Sequence, residues 1–283
     1  MHTPLDLEPI AQAICAERRY RYVGKAGEGA FKQTFHVLLH EGTPQALKVY
    51  QPGLSRERTD REIVAMTRCC HPNIGRLSLV DHYSYSGVDH IFSLEEFLSG
   101  GTLTSRLSAG PLSRDRVLAL GEDLIDAVAH IAFQGLVHRD LKPDNILFRE
   151  DGVTPVIVDF GIVRDLTLSS LTESWLSRGP GTPLFAPPEQ LNNEKALINW
   201  RADQFSLGVL LSISAFGFHP FEESGDLPPE IVQHVATRRQ STVRFRAAAQ
   251  TSRLAALIKM TDPWPIYRFR TASDLADAWR RQS

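Results

Sequence analysis

The sequence lacks the long apolar runs and the cysteine content that mark two broad classes of protein. No stretch of its 283 residues approaches the roughly 20 apolar residues that a helix needs to span a membrane. Its three cysteines are too few for a disulfide framework, and Cys69 and Cys70 are adjacent. His71 follows this pair, but no second Cys/His cluster stands at metal-ligand spacing. We therefore expect no membrane partner, reduced thiols and a cytoplasmic location.

The sequence also lacks an excess of charge of one sign. Its 31 Lys and Arg residues against 33 Asp and Glu residues give a formal net charge of −2 at pH 7. This balance removes the usual electrostatic argument for binding to nucleic acid or to a membrane surface. Residues 1–9 lack the basic-then-apolar order of a secretory signal. The composition predicts a globular chain with no nucleic-acid partner.

The predicted elements change in kind near residue 100. Residues 20–96 read as short strands between turn signals, with one helix over residues 55–68. The later predicted helices start at the N-cap Ser113 and cover residues 203–216, 252–260 and 271–281. Helices segregated from strands indicate an α+β chain rather than alternating βαβ units, with two lobes joined near residues 96–101.

A glycine-rich segment, residues 24–34, joins the first two predicted strands. Glycines let backbone N–H groups approach phosphate oxygens closely. The segment is not a dinucleotide fingerprint, because a strand rather than a helix follows it, and it lacks the Gly-Lys-Ser/Thr ending of a Walker A loop. By itself it is equally compatible with a plain hairpin turn.

Lys48 lies within a short apolar strand over residues 45–50. Its ammonium either points at a ligand or extends to solvent. A buried ammonium needs an anionic partner, because an unpaired buried charge costs several kcal/mol. Glu57 and Glu62 on the following helix are the candidates. We favour Glu62, which stands at the edge of that helix's apolar face.

Two polar segments carry the strongest chemical signal. Residues 137–147 crowd charged and amide side chains between two apolar stretches, and Pro143 forces a loop there. Further along, Asp159 ends an apolar strand in an Asp-Phe-Gly sequence. Asn145 and Asp159 supply oxygen ligands of the kind that Mg²⁺ prefers, while Asp140 is available to accept a proton.

These segments resemble the eukaryotic-type protein kinase family over nearly the whole chain. The family's His-Arg-Asp-Leu-Lys-Pro-x-Asn pattern stands complete at residues 138–145, and its Asp-Phe-Gly pattern at residues 159–161. Residues 181–189 resemble its segment ending in Ala-Pro-Glu, and residues 203–208 resemble the start of the helix that anchors the catalytic loop. The resemblance implies a bilobal α+β fold. A small antiparallel sheet lobe with one main helix would precede a larger, mainly helical lobe.

The resemblance also divides the chain. The implied parts are an N-terminal extension, 1–19, and a catalytic domain, 20–283, whose N-lobe covers 20–96 and whose C-lobe covers 97–283. Within the extension, Leu7, Ile10 and Ile14 stand at the spacing of a short amphipathic helix that packs on the strand-rich lobe.

The resemblance implies an ATP-dependent protein serine/threonine kinase and assigns its catalytic roles. Lys48 would hold the α- and β-phosphates, oriented by Glu62. Asp140 would orient the acceptor hydroxyl and take its proton, and Lys142 would meet the γ-phosphate. Lys142 together with Thr182 is the arrangement of the Ser/Thr branch.

The remaining implied residues bind the nucleotide, bind the metal or support the helical lobe. The implied cofactors are ATP and Mg²⁺, with Mn²⁺ as the alternative metal, and the implied metal ligands are Asn145 and Asp159. The implied nucleotide contacts are Gly27, Glu28, Gly29, Ala46, Lys48, Glu96, Leu98, Leu147 and Asp159. The implied structural residues are Asp203 and an ion pair of Glu189 with Arg268, for which Arg270 is the competing arginine.

Two positions depart from the family pattern. Lys32 replaces the third glycine of the phosphate loop, and we expect it near the phosphates or the acceptor-side opening. Glu95 stands where the family closes the back of the nucleotide pocket, and a carboxylate there needs a partner or water. A one-residue shift of the alignment would instead place Leu94 at that position.

Regulation is expected from the loop over residues 159–189, from a partner or from a second copy. The family pairs the arginine that precedes the catalytic aspartate, here Arg139, with a phosphorylated loop residue. We expect autophosphorylation at Thr172, Ser174 or Ser177, with a dimer for transfer in trans or a separate regulatory protein as the partner. The other substrate is a protein with a Ser or Thr acceptor.

Two alternatives stay open beside the kinase. One is a nucleotide-binding pseudokinase or scaffold, favoured only by the altered phosphate loop. The other is a small-molecule phosphotransferase, disfavoured by the substrate-side segment at residues 181–189. The Pro-Pro-Glu-Gln ending of that region is typical of bacterial members of the family.

Overall fold

The computed structural model describes residues 5–29, 32–52, 69–159 and 183–282, which fall into two compact units. The sheet unit comprises the described residues through Cys70 and Gly75–Ser99. The helical unit comprises His71–Ile74 and the described residues from Gly100 onward. Strands dominate the first unit and helices the second, so the predicted α+β class is confirmed. The predicted helix over residues 55–68 lies outside the described residues.

The described residues of the sheet unit form one helix and one five-stranded antiparallel sheet. Its elements are α1 (Glu8–Arg18), β1 (Arg21–Glu28), β2 (Lys32–Leu38), β3 (Pro44–Tyr50), β4 (Leu77–Tyr85) and β5 (Val88–Glu96). The strand order is β1-β2-β3-β5-β4, which puts β3 and β5 side by side in the middle of the sheet. The predicted strands are confirmed, with boundaries that differ by a few residues.

The two faces of the sheet have different character, because successive side chains of a strand point to opposite faces. One face packs against α1 and forms the core of the unit, with Leu7, Ile10, Ile14, Phe35, Val37, Leu47, Val49, Phe92 and Leu94 all buried. The predicted amphipathic helix is therefore confirmed. The alternating positions on the other face are Thr34, His36, Ala46, Lys48, Ser93 and Glu95.

Polar contacts fasten α1 to three strands of the sheet. The Leu7 N–H donates to Gln33 Oε1 at 3.0 Å, and Arg18 forms an ion pair with Asp81 at 2.6 Å. The Tyr22 hydroxyl donates to the Glu8 carboxylate at 2.8 Å. Burial, with a further contribution from Glu8, raises the pKa of Tyr22 to about 12. The helix is thus an integral part of the sheet unit.

The helical unit is built around a long central helix. Its elements are α2 (Leu103–Leu107), α3 (Arg114–Phe133), β6 (Ile146–Phe148), β7 (Pro155–Ile157), α4 (Pro188–Leu191), α5 (Trp200–Phe216), α6 (Pro228–Ala236), α7 (Val243–Thr251), α8 (Ala256–Met260) and α9 (Ala272–Arg280). Helix α3 begins after the predicted N-cap Ser113, whose hydroxyl accepts from the Arg116 N–H. It packs against α5 and α9.

Three features of this unit differ from the predictions. The helix predicted over residues 252–260 is shorter, because Ser252 caps the end of α7 and α8 starts only at Ala256. Helix α5 starts before Asp203, since Asn199 caps its N-terminus and accepts from the Arg201 N–H. Helices α2, α4, α6 and α7 were not predicted. Within the described ranges, no helix is long and apolar enough to cross a bilayer.

Candidate active site

Lys48 is buried on the side-chain face of β3 that points away from α1. Its ammonium forms an ion pair with the carboxylate of Glu95 on β5, and each residue is 6% exposed. The Ser93 hydroxyl donates to the second oxygen of that carboxylate at 3.0 Å. Glu95 is therefore the buried carboxylate that needed a partner, and Lys48 supplies it.

The residues expected around adenine lie along β3 and the segment after β5. Ala46 pairs with Glu95 across the ladder and is nearly buried, while Leu98 is buried two residues beyond the end of β5. The Glu96 N–H donates to the Arg76 carbonyl at 2.9 Å. The rings of His36 and Phe97 stack at 3.8 Å, which fixes the segment after β5 to the sheet.

The glycine-rich segment forms the tip of the β1–β2 hairpin. Gly27 pairs with Thr34 and Glu28 with Gln33, and the Gly29 N–H donates to the Lys32 carbonyl at 2.9 Å. The Lys32 ammonium lies 5.9 Å from the centre of the Tyr50 ring, at the neighbouring position of β3. Residues 30 and 31 lie outside the described ranges.

In the helical unit, Asp140 lies between a cation and an amide. The Lys142 ammonium is 3.2 Å from the Asp140 carboxylate, and the Asn145 amide nitrogen is also 3.2 Å from it. The same amide nitrogen donates to the Asp140 backbone carbonyl at 2.7 Å. These contacts fix the carboxylate in one orientation within a short loop.

Asp203, in the first turn of α5, anchors the loop of Asp140. Its two carboxylate oxygens accept from the N–H groups of His138 at 2.7 Å and Arg139 at 2.8 Å. Asp203 is fully buried, and burial raises the pKa of its carboxyl, while His138 and the two N–H donors lower it. A buried carboxylate that accepts two backbone N–H groups fixes the chain on the N-terminal side of Asp140.

Asn145 and Asp159, the expected metal ligands, belong to adjacent segments. The Val158 N–H donates to the Asn145 carbonyl at 2.9 Å, and Asp159 follows with a backbone φ of 61°. Because the Asn145 amide nitrogen is engaged by Asp140, its amide oxygen is the atom left to coordinate a metal. An amide oxygen and a carboxylate suit Mg²⁺, which keeps waters and takes substrate phosphates as further ligands. Among the described residues no three His, Cys, Asp or Glu side chains cluster as metal ligands.

Leu147 follows this segment on β6, where it is half-buried. It pairs with Val156 on β7 and bridges to Thr102. Gly100 donates its N–H to the Phe148 carbonyl at 2.9 Å, and a Cβ at this position would lie 2.1 Å from the Arg149 carbonyl oxygen. Only glycine permits this approach of the chain to β6.

A buried ion pair joins Glu189 on α4 to Arg268. Arg268 donates to both oxygens of Glu189, at 2.6 and 3.0 Å, and both side chains are fully buried. Arg270, the competing arginine, is exposed. Next to Glu189, the Gln190 amide donates to the Arg139 carbonyl at 2.9 Å and so ties α4 to the catalytic loop.

Several predicted residues lie outside the described ranges, and their predictions stay untested. These are Glu57, Glu62, Thr172, Ser174, Ser177 and Thr182. Conversely, three contributing residues were not predicted: Ser93, Gln190 and His219, whose buried ring bonds to the Leu184 carbonyl at 2.8 Å. Strand alternation signals Ser93, because it stands two residues before Glu95 on the same face. The sequence carries no comparable signal for Gln190 or His219.

The comparison with known families agrees with this geometry. Residues 20–269 match the family described as the protein kinase domain. The chain belongs to that family. The predicted membership is confirmed, and the matched region contains every site residue considered above.

Kinase relatives come from distant organisms. "CBL-interacting serine/threonine-protein kinase 15" of Arabidopsis thaliana is 30% identical over 268 residues, which cover 92% of this chain and 61% of the relative. "CBL-interacting protein kinase 24" of Oryza sativa subsp. japonica is 30% identical over 272 residues, covering 94% and 57%. "Serine/threonine-protein kinase pkn2" of Myxococcus xanthus is 30% identical over 282 residues, covering 94% and 32%. The bacterial source stays a prediction.

Proposed function

We propose that this kinase-family chain is an ATP-dependent protein serine/threonine kinase. The observation that carries the proposal is the Asp140 carboxylate, held beside Lys142 and Asn145 on a loop anchored by Asp203. Because this chain spans 61% or less of the three relatives named above, their names alone do not establish its activity or substrates.

Asp140 is the group proposed to orient the acceptor hydroxyl and take its proton. Phosphoryl transfer needs positioning and charge neutralisation more than covalent chemistry. The fixed orientation of this carboxylate is therefore the property that best supports its proposed role. Lys142, 3.2 Å from the Asp140 carboxylate, is proposed to neutralise charge on the transferred phosphoryl group. The acceptor is proposed to be a Ser or Thr hydroxyl of a protein.

The nucleotide contacts proposed here are those that the resemblance implies. In the sheet unit, Lys48 binds the α- and β-phosphates, the backbone of Gly27, Glu28 and Gly29 covers them, and Ala46, Glu96 and Leu98 contact adenine. In the helical unit, Leu147 would contact adenine and Asp159 would contribute its carboxylate to the nucleotide–metal site. Asn145 and Asp159 would hold Mg²⁺, or Mn²⁺, which when bound neutralises the phosphate charge.

Replacing Asp140 tests the proposal directly. With radiolabelled ATP and a generic protein substrate, Asp140→Asn should lower label transfer by roughly 10²-fold or more, because the general base is lost. Lys48→Ala should cause a loss of similar size through lost positioning. Label is counted on the substrate band after electrophoresis.

Asp144 offers the matched control for Asp140. It is an exposed carboxylate of the same loop that accepts from the Thr104 hydroxyl at 2.9 Å. Asp144→Asn should leave transfer within about twofold of the wild type, as expected for a surface substitution. Transfer unaffected by Asp140→Asn would refute the mechanism, and wild-type protein that binds ATP without transfer would make the chain a pseudokinase.

The loop over residues 159–189 is proposed to regulate this activity by phosphorylation. Phosphate at Thr172, Ser174 or Ser177 would be an anion for Arg139 to bind, and this contact would order the loop. Mass spectrometry after incubation with ATP should find phosphate at one of the three, and Asp140→Asn should carry none. A fully active, unmodified loop would contradict the proposal. The partner proposed for this step is either a second copy of the chain, for transfer in trans, or a separate regulatory protein.

A further inference from the structure

A buried carboxylate of the central sheet, Glu95, forms the ion pair with Lys48. Both side chains are almost completely removed from solvent, at 6% exposure each. Removing one member of such a pair leaves an uncompensated buried charge. The pairing therefore constrains where the Lys48 ammonium lies.

The register of the sheet brings these two residues together. Lys48 on β3 stands opposite Ser93 on β5, and Ala46 stands opposite Glu95. Lys48 and Glu95 are thus diagonal neighbours on one face, a separation that long side chains span easily. Since β3 and β5 share a continuous ladder from residue 45 to residue 49, the sheet itself sets the geometry of the pair.

Neighbouring hydroxyls hold the carboxylate in turn. The fully buried Ser93 hydroxyl donates to Glu95 at 3.0 Å, and the Tyr50 hydroxyl lies 3.4 Å from the Ser93 hydroxyl. The four residues form a chain of polar contacts inside the sheet unit. A carboxylate fixed by a hydroxyl at one oxygen and by an ammonium at the other has little freedom to turn.

We propose that Glu95 is a positioning residue that orients the Lys48 ammonium toward the ATP phosphates. The inference rests on the function proposed above, in which Lys48 binds those phosphates. An ammonium has three donors, so a contact with Glu95 does not by itself exclude a contact with phosphate oxygens. The role adds to the one that the resemblance gives to Glu62 and does not depend on it.

The test is a double-mutant cycle read by ATP binding. Wild type, Glu95→Gln, Lys48→Met and the double variant are melted with and without MgATP, because a ligand raises the melting temperature according to its affinity. Glu95→Gln should weaken ATP binding by roughly tenfold, the loss of about one charge-assisted hydrogen bond. In the Lys48→Met background the same change should weaken it no further, since Glu95 acts through Lys48.

The control is Asp81→Asn, which breaks the Arg18–Asp81 ion pair of the same unit. It should lower the melting temperature without nucleotide and leave the ATP-induced rise unchanged. If Glu95→Gln behaves in this way, Glu95 is a structural residue only and the inference is wrong. The inference is also overturned if Glu95→Gln lowers ATP affinity by the same factor in the wild type and in the Lys48→Met background.

A second variant keeps the test decisive if Glu95→Gln does not fold. Ser93→Ala removes the hydroxyl that holds Glu95 while keeping both charges, and it should weaken ATP binding by a smaller factor of about two to five. An unchanged ATP-induced rise in this variant would count against the inference. Binding does not require transfer, so a wild type that binds ATP without transferring label refutes the proposed function alone.

Discussion

His219 is a buried imidazole that bonds to the backbone on both sides. The Phe221 N–H donates to Nδ1 at 3.2 Å, so the proton lies on Nε2, which donates to the Leu184 carbonyl at 2.8 Å. Burial lowers the pKa of His219 to about 4, with a small opposing contribution from the Leu184 bond. The neutral ring fastens Leu184, which stands two residues after Thr182 in the chain.

This imidazole predicts a specific dependence of stability on pH. The unfolded chain takes up a proton near the ordinary histidine pKa of about 6.5, while the folded chain does so only near 4. The contribution of His219 is therefore complete above about pH 6.5 and is lost as the pH falls toward 4, by roughly 3 kcal/mol in all. His219→Gln keeps a donor and an acceptor without titrating, so its free energy of unfolding should fall less over this range.

Chemical unfolding at a series of pH values measures the difference. Carboxylates titrate in the same range, but they are common to both proteins and cancel in the comparison. His40→Gln is the control, because His40 is exposed. If the free energies of unfolding of wild type and His219→Gln change in parallel with pH, protonation of this ring is not linked to folding.

His138 uses the same donor and acceptor arrangement inside the catalytic loop. The Asp140 N–H donates to Nδ1 at 3.3 Å, and Nε2 donates to the Val158 carbonyl at 3.0 Å. The ring of His138 therefore links the segment of Asp140 to the strand end that precedes Asp159. One side chain, to which the proposed mechanism gives no part in transfer, thus joins the segment of the proposed base to that of a proposed metal ligand.

At the scale of elements, β3 and β5 keep the core and the chemistry on opposite faces. Leu47 and Leu94 point toward α1, while Lys48 and Glu95 point away from it. A slip of one residue between these strands would exchange the two sets. It would leave Leu94 on the face that carries Lys48. Burial of Leu94 in the core therefore also fixes the pairing of Glu95.

Helix α1 should contribute directly to the stability of the sheet unit. Ile14 is fully buried against the sheet, so Ile14→Ala should cost about 2–5 kcal/mol through lost burial and the cavity left behind. Gln12 is exposed on the same helix, and Gln12→Ala should change the free energy of unfolding by no more than about 0.5 kcal/mol. Urea unfolding monitored by circular dichroism compares the two; equal stability would mean that α1 is dispensable.

At the scale of the whole molecule, local patterns predicted most elements. Alternation and turns located the strands of the sheet, and the 3.6-residue period with the Ser113 cap located α3. The period is weak in α7, where Phe245 and Ala249 are the buried residues and Val243 is exposed. In α6 the start of the helix is signalled by proline and by a Glu in the first turn. These signals are stronger than that of its short apolar stripe.

The candidate site was less predictable than the fold, because its key contacts join residues far apart in sequence. Motif spacing pointed to Asp140, Asn145 and Asp159 within one continuous region. The Lys48–Glu95 contact joins residues 47 positions apart, and it follows from the pairing of β3 with β5. No local pattern predicts which two strands are neighbours in the sheet when another strand and a further segment lie between them in the sequence.

Helix α1 binds to the sheet of its own chain in the way that a ligand on a short covalent tether would. Its covalent link to β1 passes through Arg19, an exposed residue with a φ of 57°, and Tyr20. A short tether gives an effective concentration in the millimolar range, so contacts too weak to hold a free peptide suffice to hold α1. The family match starts at residue 20, so it includes the sheet but not helix α1. A free peptide of residues 5–19 would need a concentration in the same millimolar range to take the place of α1.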